Sequence, residues 1–267
     1  MNISRPDREG ALSAFVPSPF PQAEELRVPE ETLEASHIVG FDGNDERSRA
    51  FNLLRSQYLR DIASHDMRLV GVSSATPAAG KSFIALNLAA ALSRIGGRAV
   101  LLCDFDLRRG SVLSAVQGEV DVDLCSYLRG EVADWKQAVR RINDTACYIL
   151  PCIAHKRGTG EMITSPWFET LIADLRNLPD EVLVVCDLPP VFASDDALLT
   201  ARHLDGYLLV VEYGRNTQTQ VREALDMFKP TPCVGTILNR YRGGFYDAYG
   251  YGYGDPYGLK RYYGDED

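Results

Sequence analysis

Residues 75–82, reading A-T-P-A-A-G-K-S, have the types and spacing to hold a chain of phosphates. Gly or Ala, four free positions, then Gly-Lys and Ser or Thr is the broad form of a phosphate-binding loop. In such a loop successive backbone N–H groups and the positive end of the following helix make a concavity for phosphate oxygens. Lys81 adds a point charge on the β- and γ-phosphates, and the Ser82 hydroxyl reaches a bound Mg²⁺. Further on stand Asp104 and Asp106, two residues apart, followed by Arg108. Carboxylates so placed hold Mg²⁺ through water or accept a proton from an attacking hydroxyl. Asp187 closes a run of apolar residues, the form of a second Mg²⁺-holding carboxylate, a Walker B element. An Ala/Gly turn before a helix and a solvated Asp-rich turn are the plainer readings of the first two features taken singly. All three in chain order, each at the end of an expected strand, argue for one site.

The elements that must position these groups can be read from periodicity. Residues 68–74 form a short β-branched apolar run before the loop, and 83–94 are rich in helix formers up to Gly96-Gly97. Further strands are expected at 98–103, 147–151, 181–186, 206–212 and 233–238. Helices are expected near 121–129, 131–141, 166–176, 195–202 and 216–228. Continuous apolar strands separated by amphipathic helices predict an α/β fold, a mostly parallel sheet with helices on both faces. Ligands in such folds sit at the carboxyl ends of the strands, where the three features fall. Ahead of the first strand, 45–60 has Ala50, Phe51, Leu54, Tyr58 and Leu59 at helical spacing, with a basic polar face. That helix packs on the domain or on another subunit.

Three segments are expected. Residues 1–45 carry five of the fourteen prolines and no sustained period, and read as a flexible N-terminal arm. Residues 46–240 form the P-loop domain. Residues 241–267 hold eight of the thirteen tyrosines, interleaved with seven glycines and ending in Gly-Asp-Glu-Asp. With only Ala248 and Leu259 as aliphatics, this tail has little to bury. It reads as a low-complexity sticky tail, as one that packs a few rings on the domain, or as the substrate of the chain's own phosphate-handling site.

Composition narrows the class. The net charge of −9 does not suggest a nucleic-acid surface. No apolar run reaches the length of a membrane span, and the N-terminus has no secretory signal pattern. Six cysteines are scattered without a C-x-x-C pair and read as small buried hydrophobes in a reducing cytosol. The four histidines show no metal-ligand spacing.

Taken together, residues 45–267 resemble the bacterial tyrosine kinases that regulate exopolysaccharide and capsule synthesis, P-loop proteins related to the MinD and ParA ATPases. The family's D-x-D-x-R element is matched by Asp104, Asp106 and Arg108, and its D-x-P-P element by Asp187 to Pro190. Its D-A and D-G pairs are matched by Asp196-Ala197 and Asp205-Gly206, and its last-strand Asn, near the adenine, by Asn239. The tyrosine-rich end is matched in kind. Position 76 is Thr76, where the MinD and ParA type carries a lysine that reaches across a dimer. This disfavours that route of activation. The chain has Pro77-Ala78-Ala79 where the family commonly has P-G-E, so a positive φ at position 78 would cost ~1 kcal/mol or more. The family's E-x-x-R-x-x-R helix is matched incompletely by Glu46, Arg49 and Asn52, or by Arg49, Asn52 and Arg55.

The resemblance implies an ATP- and Mg²⁺-dependent protein-tyrosine autokinase. Catalysis would fall to Lys81, Asp104, Asp106 and Arg108, with Asp104 taking the phenolic proton. Nucleotide contacts would come from Thr76, Ala78, Ala79, Gly80, Lys81, Ser82, Phe83 and Asn239, and metal contacts from Ser82, Asp106 and Asp187. The acceptors would be Tyr246, Tyr249, Tyr251, Tyr253, Tyr257, Tyr262 and Tyr263. It also implies a membrane polysaccharide co-polymerase as activator, a homo-oligomer, a cognate tyrosine phosphatase, and a cytoplasmic protein recruited to the inner face of the membrane. A nucleotide-binding scaffold with weak catalysis and a MinD/ParA-like ATPase stay open beside this reading.

Overall fold

The computed structural model describes residues 18–241. Along the chain run β1 (Glu24–Leu26), α1 (Glu30–Ala35), α2 (Arg49–His65), β2 (Leu69–Ser74), α3 (Lys81–Ser93) and β3 (Ala99–Asp104). Then follow α4 (Ser111–Ala115), α5 (Leu124–Leu128), β4 (Arg140–Ile142), β5 (Cys147–Leu150), α6 (Thr159–Ile163) and α7 (Pro166–Arg176). The last elements are β6 (Val182–Asp187), α8 (Asp196–Ala201), β7 (Gly206–Glu212), α9 (Gln218–Met227) and β8 (Cys233–Asn239).

The strands form one sheet in the order β1-β4-β5-β3-β6-β2-β7-β8, parallel throughout except for the β4–β5 pair. Every residue of β2, β3 and β6 is buried, as continuous apolar runs require when helices cover both faces. One core lies under α2 and α3 and includes Phe51, Tyr58, Leu86 and Leu88. The other gathers Phe105, Trp135, Phe168 and Tyr207 on the opposite face. The expected α/β P-loop architecture is the one found. Among the described residues no helix is long and apolar enough to cross a membrane.

The switch from β6 and β2 to their neighbours places three strand ends side by side. Asp104 pairs in register with Asp187, and Val72 also pairs with Asp187. The loop after β2 therefore emerges beside both carboxylate-bearing ends, which is why residues far apart in sequence meet there.

Two expectations need correction. Residues 18–45 are not a flexible arm: they contribute β1 to the sheet edge and strap across α3. Phe20 is buried against the rings of Trp135 and Tyr148. Asn87, fully buried on α3, accepts from the Val39 and Gly40 N–H groups at 2.8 and 2.9 Å and donates to the His37 carbonyl. A Cβ at Gly40 would lie 2.3 Å from the Asn87 carbonyl oxygen, so only glycine passes. The many prolines hid a segment whose order comes from α3 and not from its own periodicity. The second correction concerns 131–141: in place of a helix there is a single 3-10 turn, Trp135–Ala138, running into β4. The acidic N-cap Asp134 and the buried Trp135 set the turn, and Arg140–Ile142 then extends to pair with β5.

The 45–60 helix is α2, preceded by a 3-10 turn, and it packs on this domain. Phe51 meets Phe83 edge-on at 5.7 Å, and the Arg55 guanidinium donates to the Ala91 carbonyl at 3.2 Å. Asn52 accepts from Arg94, so two of the polar positions weighed for subunit contact are engaged with the body of the chain. The tail tyrosines from Tyr246 onward lie outside the described residues.

Candidate functional site

The loop from Ala75 to Gly80 owes its shape to two left-handed residues. Ala78 has φ 65° and Gly80 has φ 96°. The positive φ anticipated as costly at position 78 is therefore present, on an alanine. Gly80 suits its place on two counts: φ 96° strains any L side chain, and a Cβ there would press on the Asn239 amide. Gly80 hands the chain to α3, whose first intrahelical bond runs from Ile84 N–H to the Gly80 carbonyl. The N–H groups of Lys81, Ser82 and Phe83 precede that bond and are the unpaired donors that helix starts leave for an anion. The Phe83 ring does not face the loop but packs on Phe51.

Outside contacts fix the loop. Asn239, at the end of β8, donates from Nδ2 to the Ala79 carbonyl at 2.8 Å. Thr76 Oγ1 accepts from Asn216 Nδ2 at 2.8 Å, and Asn216 Oδ1 in turn accepts from the Glu212 N–H at 2.8 Å. Glu212 closes this side of the site by pairing with Arg240 at 2.8 Å. Asn216, Glu212 and Arg240 carry no sequence signal of this role. No local pattern marks an asparagine that serves a loop 140 positions away.

At the strand ends the charges converge on Lys81. Its Nζ lies 2.8 Å from Asp106 Oδ2, 3.2 and 3.3 Å from the two Asp187 oxygens, and 3.0 Å from Ser82 Oγ. All are buried except Ser82, which is partly exposed. Asp104 stands beside them, its Oδ1 accepting from the Asp106 N–H at 3.2 Å and its Oδ2 from the Val112 N–H at 3.0 Å. The latter bond ties α4 to the carboxylate.

Burial pushes the Asp104 carboxyl well above the usual carboxylate range, and the Asp187 charge adds to that; Lys81 and the Val112 N–H pull the other way. Burial likewise raises Asp187, partly offset by Lys81 and Ser82. For Lys81 burial acts downward, but the Asp187 and Asp106 charges outweigh it and hold the ammonium above its ordinary value. The cluster thus keeps a cation at its centre.

That centre tests the fit of a metal. Ser82, Asp106 and Asp187, the three side chains expected to hold Mg²⁺, are the three that now surround the Lys81 ammonium. They are hard oxygen donors, the set that magnesium takes together with phosphate oxygens and water. The residues present fit the metal, and the free N–H groups at the start of α3 fit the phosphates beside it.

Arg108 stands apart from this cluster. Its Nε donates to Asp196 Oδ2 at 2.7 Å, and the same oxygen accepts from Thr159 Oγ1 at 2.8 Å. Asp196 is held below the usual range: burial alone would raise it, but hydrogen bonds from Arg108, Thr159 and Ser194 prevail. Asp205, the other acidic residue of the paired motifs, has a framework task. Its Oδ2 accepts the Arg68 and Leu69 N–H groups, both at 2.8 Å, at the start of β2.

The six cysteines are free, all but Cys233 buried, as expected of small hydrophobes. Cys125 and Cys152 touch at 3.4 Å beside Asp123. Asp123 spends its oxygens on the Ser126 and Ile153 N–H groups and the Ser126 hydroxyl.

No family model matches the chain. The succinoglycan biosynthesis transport protein ExoP of Rhizobium meliloti is 34% identical over 184 residues, 67% of this chain and 23% of that protein. The tyrosine-protein kinase YwqD of Bacillus subtilis is 30% identical over 231 residues, 85% of this chain and 93% of YwqD. The chain therefore spans under a quarter of ExoP and nearly all of YwqD. Among solved structures, the kinase domain of the Escherichia coli tyrosine kinase ETK superposes with a TM-score of 0.69. It is 24% identical, over 82% of this chain and 85% of that domain, and speaks to the fold.

Proposed function

The chain belongs to the family of bacterial tyrosine-protein kinases, and from that membership we propose that it transfers the γ-phosphoryl group of ATP to tyrosyl phenols. The observation that carries the reading is the buried cage of Ser82, Asp106 and Asp187 around Lys81 at the start of α3. The acceptors we propose are the chain's own tyrosines: Tyr246, Tyr249, Tyr251, Tyr253, Tyr257, Tyr262 and Tyr263. A tethered acceptor has an effective concentration on the order of millimolar, which offsets weak intrinsic recognition.

Each residue then has a task. The first-turn N–H groups of Lys81, Ser82 and Phe83 bind the phosphate oxygens. Lys81 leaves the carboxylate cage for the transferred group, where its charge stabilises the loose transition state. Ser82, Asp106 and Asp187 hold Mg²⁺, which when bound supplies Lewis-acid polarisation of that group. Asp104 takes the proton of the attacking phenol. Its Oδ1 is the more readily freed oxygen, since it carries the longer of its two bonds. A phenol with a pKa of ~10 needs such a base near neutral pH. Arg108, held by Asp196, orients charge on the acceptor side. Asn239, fixed on the Ala79 carbonyl, lies on the nucleotide side.

We extend the proposal to a membrane co-polymerase that recruits and activates the chain at the inner face of the membrane, to a homo-oligomer and to an opposing phosphatase. ExoP is named for succinoglycan transport, which supports a role in polysaccharide synthesis or export.

One observation favours a second reading, a nucleotide-binding scaffold with weak catalysis: the left-handed Ala78 strains the loop that must grip phosphate. Calorimetric titration with Mg²⁺-ATP and phosphotyrosine mapping on the same sample separates the two. Binding with transfer supports the kinase, and binding without transfer, partner supplied, supports the scaffold. Hydrolysis without phosphotyrosine would point instead to a MinD/ParA-like ATPase.

A further inference from the structure

Both tryptophans of the chain line one open groove of about 350 Å³ on the face of the sheet opposite α3. Tyr127, Trp135, Pro166 and Trp167 form its apolar walls, and Asp134 and Asp174 add two exposed carboxylates. Trp167 is 39% exposed, an unusual state for so large a residue, and its indole meets Tyr127 edge-on at 5.2 Å. The carboxylates are fixed in place: Asp174 Oδ2 accepts from the Trp135 indole N–H at 3.1 Å, and Asp134 Oδ1 from the Lys136 N–H at 2.9 Å.

These bonds leave the negative charge standing. Among the described residues neither Asp134 nor Asp174 has a salt-bridge partner, whereas Arg129, Arg176 and Lys229 are each paired with other acids. The field is felt at the groove wall, where the Tyr127 phenol is pushed up by burial and then by the Asp174 and Asp134 charges. One of the two indoles already takes a cation, with Lys136 Nζ lying 5.8 Å from the Trp135 ring centroid.

We propose that this groove docks a basic peptide segment of a partner protein, with an arginine or lysine side chain lying on the Trp167 indole and pairing with Asp134 and Asp174. A planar guanidinium stacks on an aromatic face and presents its fork to a carboxylate, so one side chain satisfies both features. An acidic or purely apolar occupant would bury two carboxylates with nothing to pair them, which is costly. The groove also backs onto the reacting residues. Trp167 faces it from α7, and the next residue, Phe168, turns inward to meet Phe105 edge-on at 5.3 Å. Phe105 stands between Asp104 and Asp106. A docked segment would thus press on the helix that supports the carboxylate loop.

Because both tryptophans line the groove, intrinsic fluorescence of the full chain reports on it directly. The probes are the peptides acetyl-Gly-Arg-Gly-Arg-Gly-amide and acetyl-Gly-Glu-Gly-Glu-Gly-amide. We expect a saturable change with the arginine peptide alone, weakened by added salt. Asp134→Asn combined with Asp174→Asn should weaken it by about tenfold, because it removes the charge and keeps an oxygen for the Trp135 N–H. If that double variant loses its melting transition, each single variant, expected to weaken binding by about threefold, carries the test. No saturable change, an equal response to the glutamate peptide, or unaltered affinity in the variants overturns the proposal. A chain lacking residues 1–17 that binds the arginine peptide much more tightly than the full chain would also overturn it. The groove would then belong to the chain's own segment with Arg5 and Arg8.

Discussion

Lys81 Nζ lies 2.8 Å from Asp106 Oδ2, and the ammonium occupies the space between the three side chains suited to magnesium. Two cations cannot share that space, so metal and lysine compete for the same oxygens. Removing Lys81 leaves the carboxylates uncompensated and open to a divalent ion. Lys81→Met should therefore bind Mn²⁺, without nucleotide, about tenfold more tightly than the unaltered chain, or ~1.4 kcal/mol. Electron paramagnetic resonance of free Mn²⁺ measures this directly. Equal or weaker binding in the variant would show that the lysine does not hold the metal's place.

The loop before Lys81 contains a removable strain. Ala78 sits at φ 65°, where an L-residue with a Cβ costs about 1–2 kcal/mol and glycine does not. Glycine loses more freedom on folding, about 0.5–1 kcal/mol. Ala78→Gly should thus stabilise the chain by roughly 0.5 kcal/mol, visible as a higher urea midpoint at unchanged slope. Destabilisation would mean that the loop does not hold this conformation in solution.

Asn239 and Gly80 are matched surfaces, with the amide lying where a Cβ at Gly80 would be. Asn239→Ala removes the hydrogen bond to the Ala79 carbonyl. It should lower the melting temperature by about 2–4 °C, the worth of ~1 kcal/mol for a bond of this kind, and, by loosening the phosphate loop, weaken ATP binding by up to about fivefold. Calorimetric titration checks it, and unchanged affinity would remove Asn239 from the nucleotide side.

Asp196 supplies a pH dependence whose sign is fixed. Its folded carboxyl lies below the ordinary value through Arg108, Thr159 and Ser194. The stabilisation is complete above the unfolded pKa of about 3.9 and is lost as pH falls through the depressed folded value. The stability gap between the unaltered chain and Asp196→Asn should therefore be largest near neutrality and shrink below about pH 4. Arg108 is half-exposed, so solvent screening keeps its share of that gap modest. Urea midpoints of both chains at pH 7 and pH 3 measure it. A gap that widens in acid would contradict the assignment.

How much of this was legible beforehand depended on range. β2, β3, β6 and β7 declare themselves because both faces are covered and each is apolar up to a polar or acidic end. Lys81, Asp104 and Asp187 could be named because each ends a strand or begins a helix, and Asp106 because it stands two residues past a strand's end, all local signals. β1 and β4 could not, being strands of three residues, one at the sheet edge and one next to it, that take their shape from neighbours. The strap over α3 depends on Asn87, whose four hydrogen bonds have no sequence signature. Arg108 was legible as part of a motif, but its hold on Asp196, 88 positions away, was not. The same holds for Trp135 and Trp167, whose common groove forms only when α7 packs against the turn before β4.

The destination of the γ-phosphate tests the proposed function most directly. The chain and its Lys81→Met variant are incubated with Mg²⁺ and γ-labelled ATP, with the proposed membrane partner supplied, and the label is assigned residue by residue by mass spectrometry. We predict label on tyrosines between Tyr246 and Tyr263 in the unaltered chain, and a loss of at least about a hundredfold in the variant, the scale of one transition-state charge contact. Label that never reaches a tyrosine, or that reaches it equally in both chains, would contradict the account.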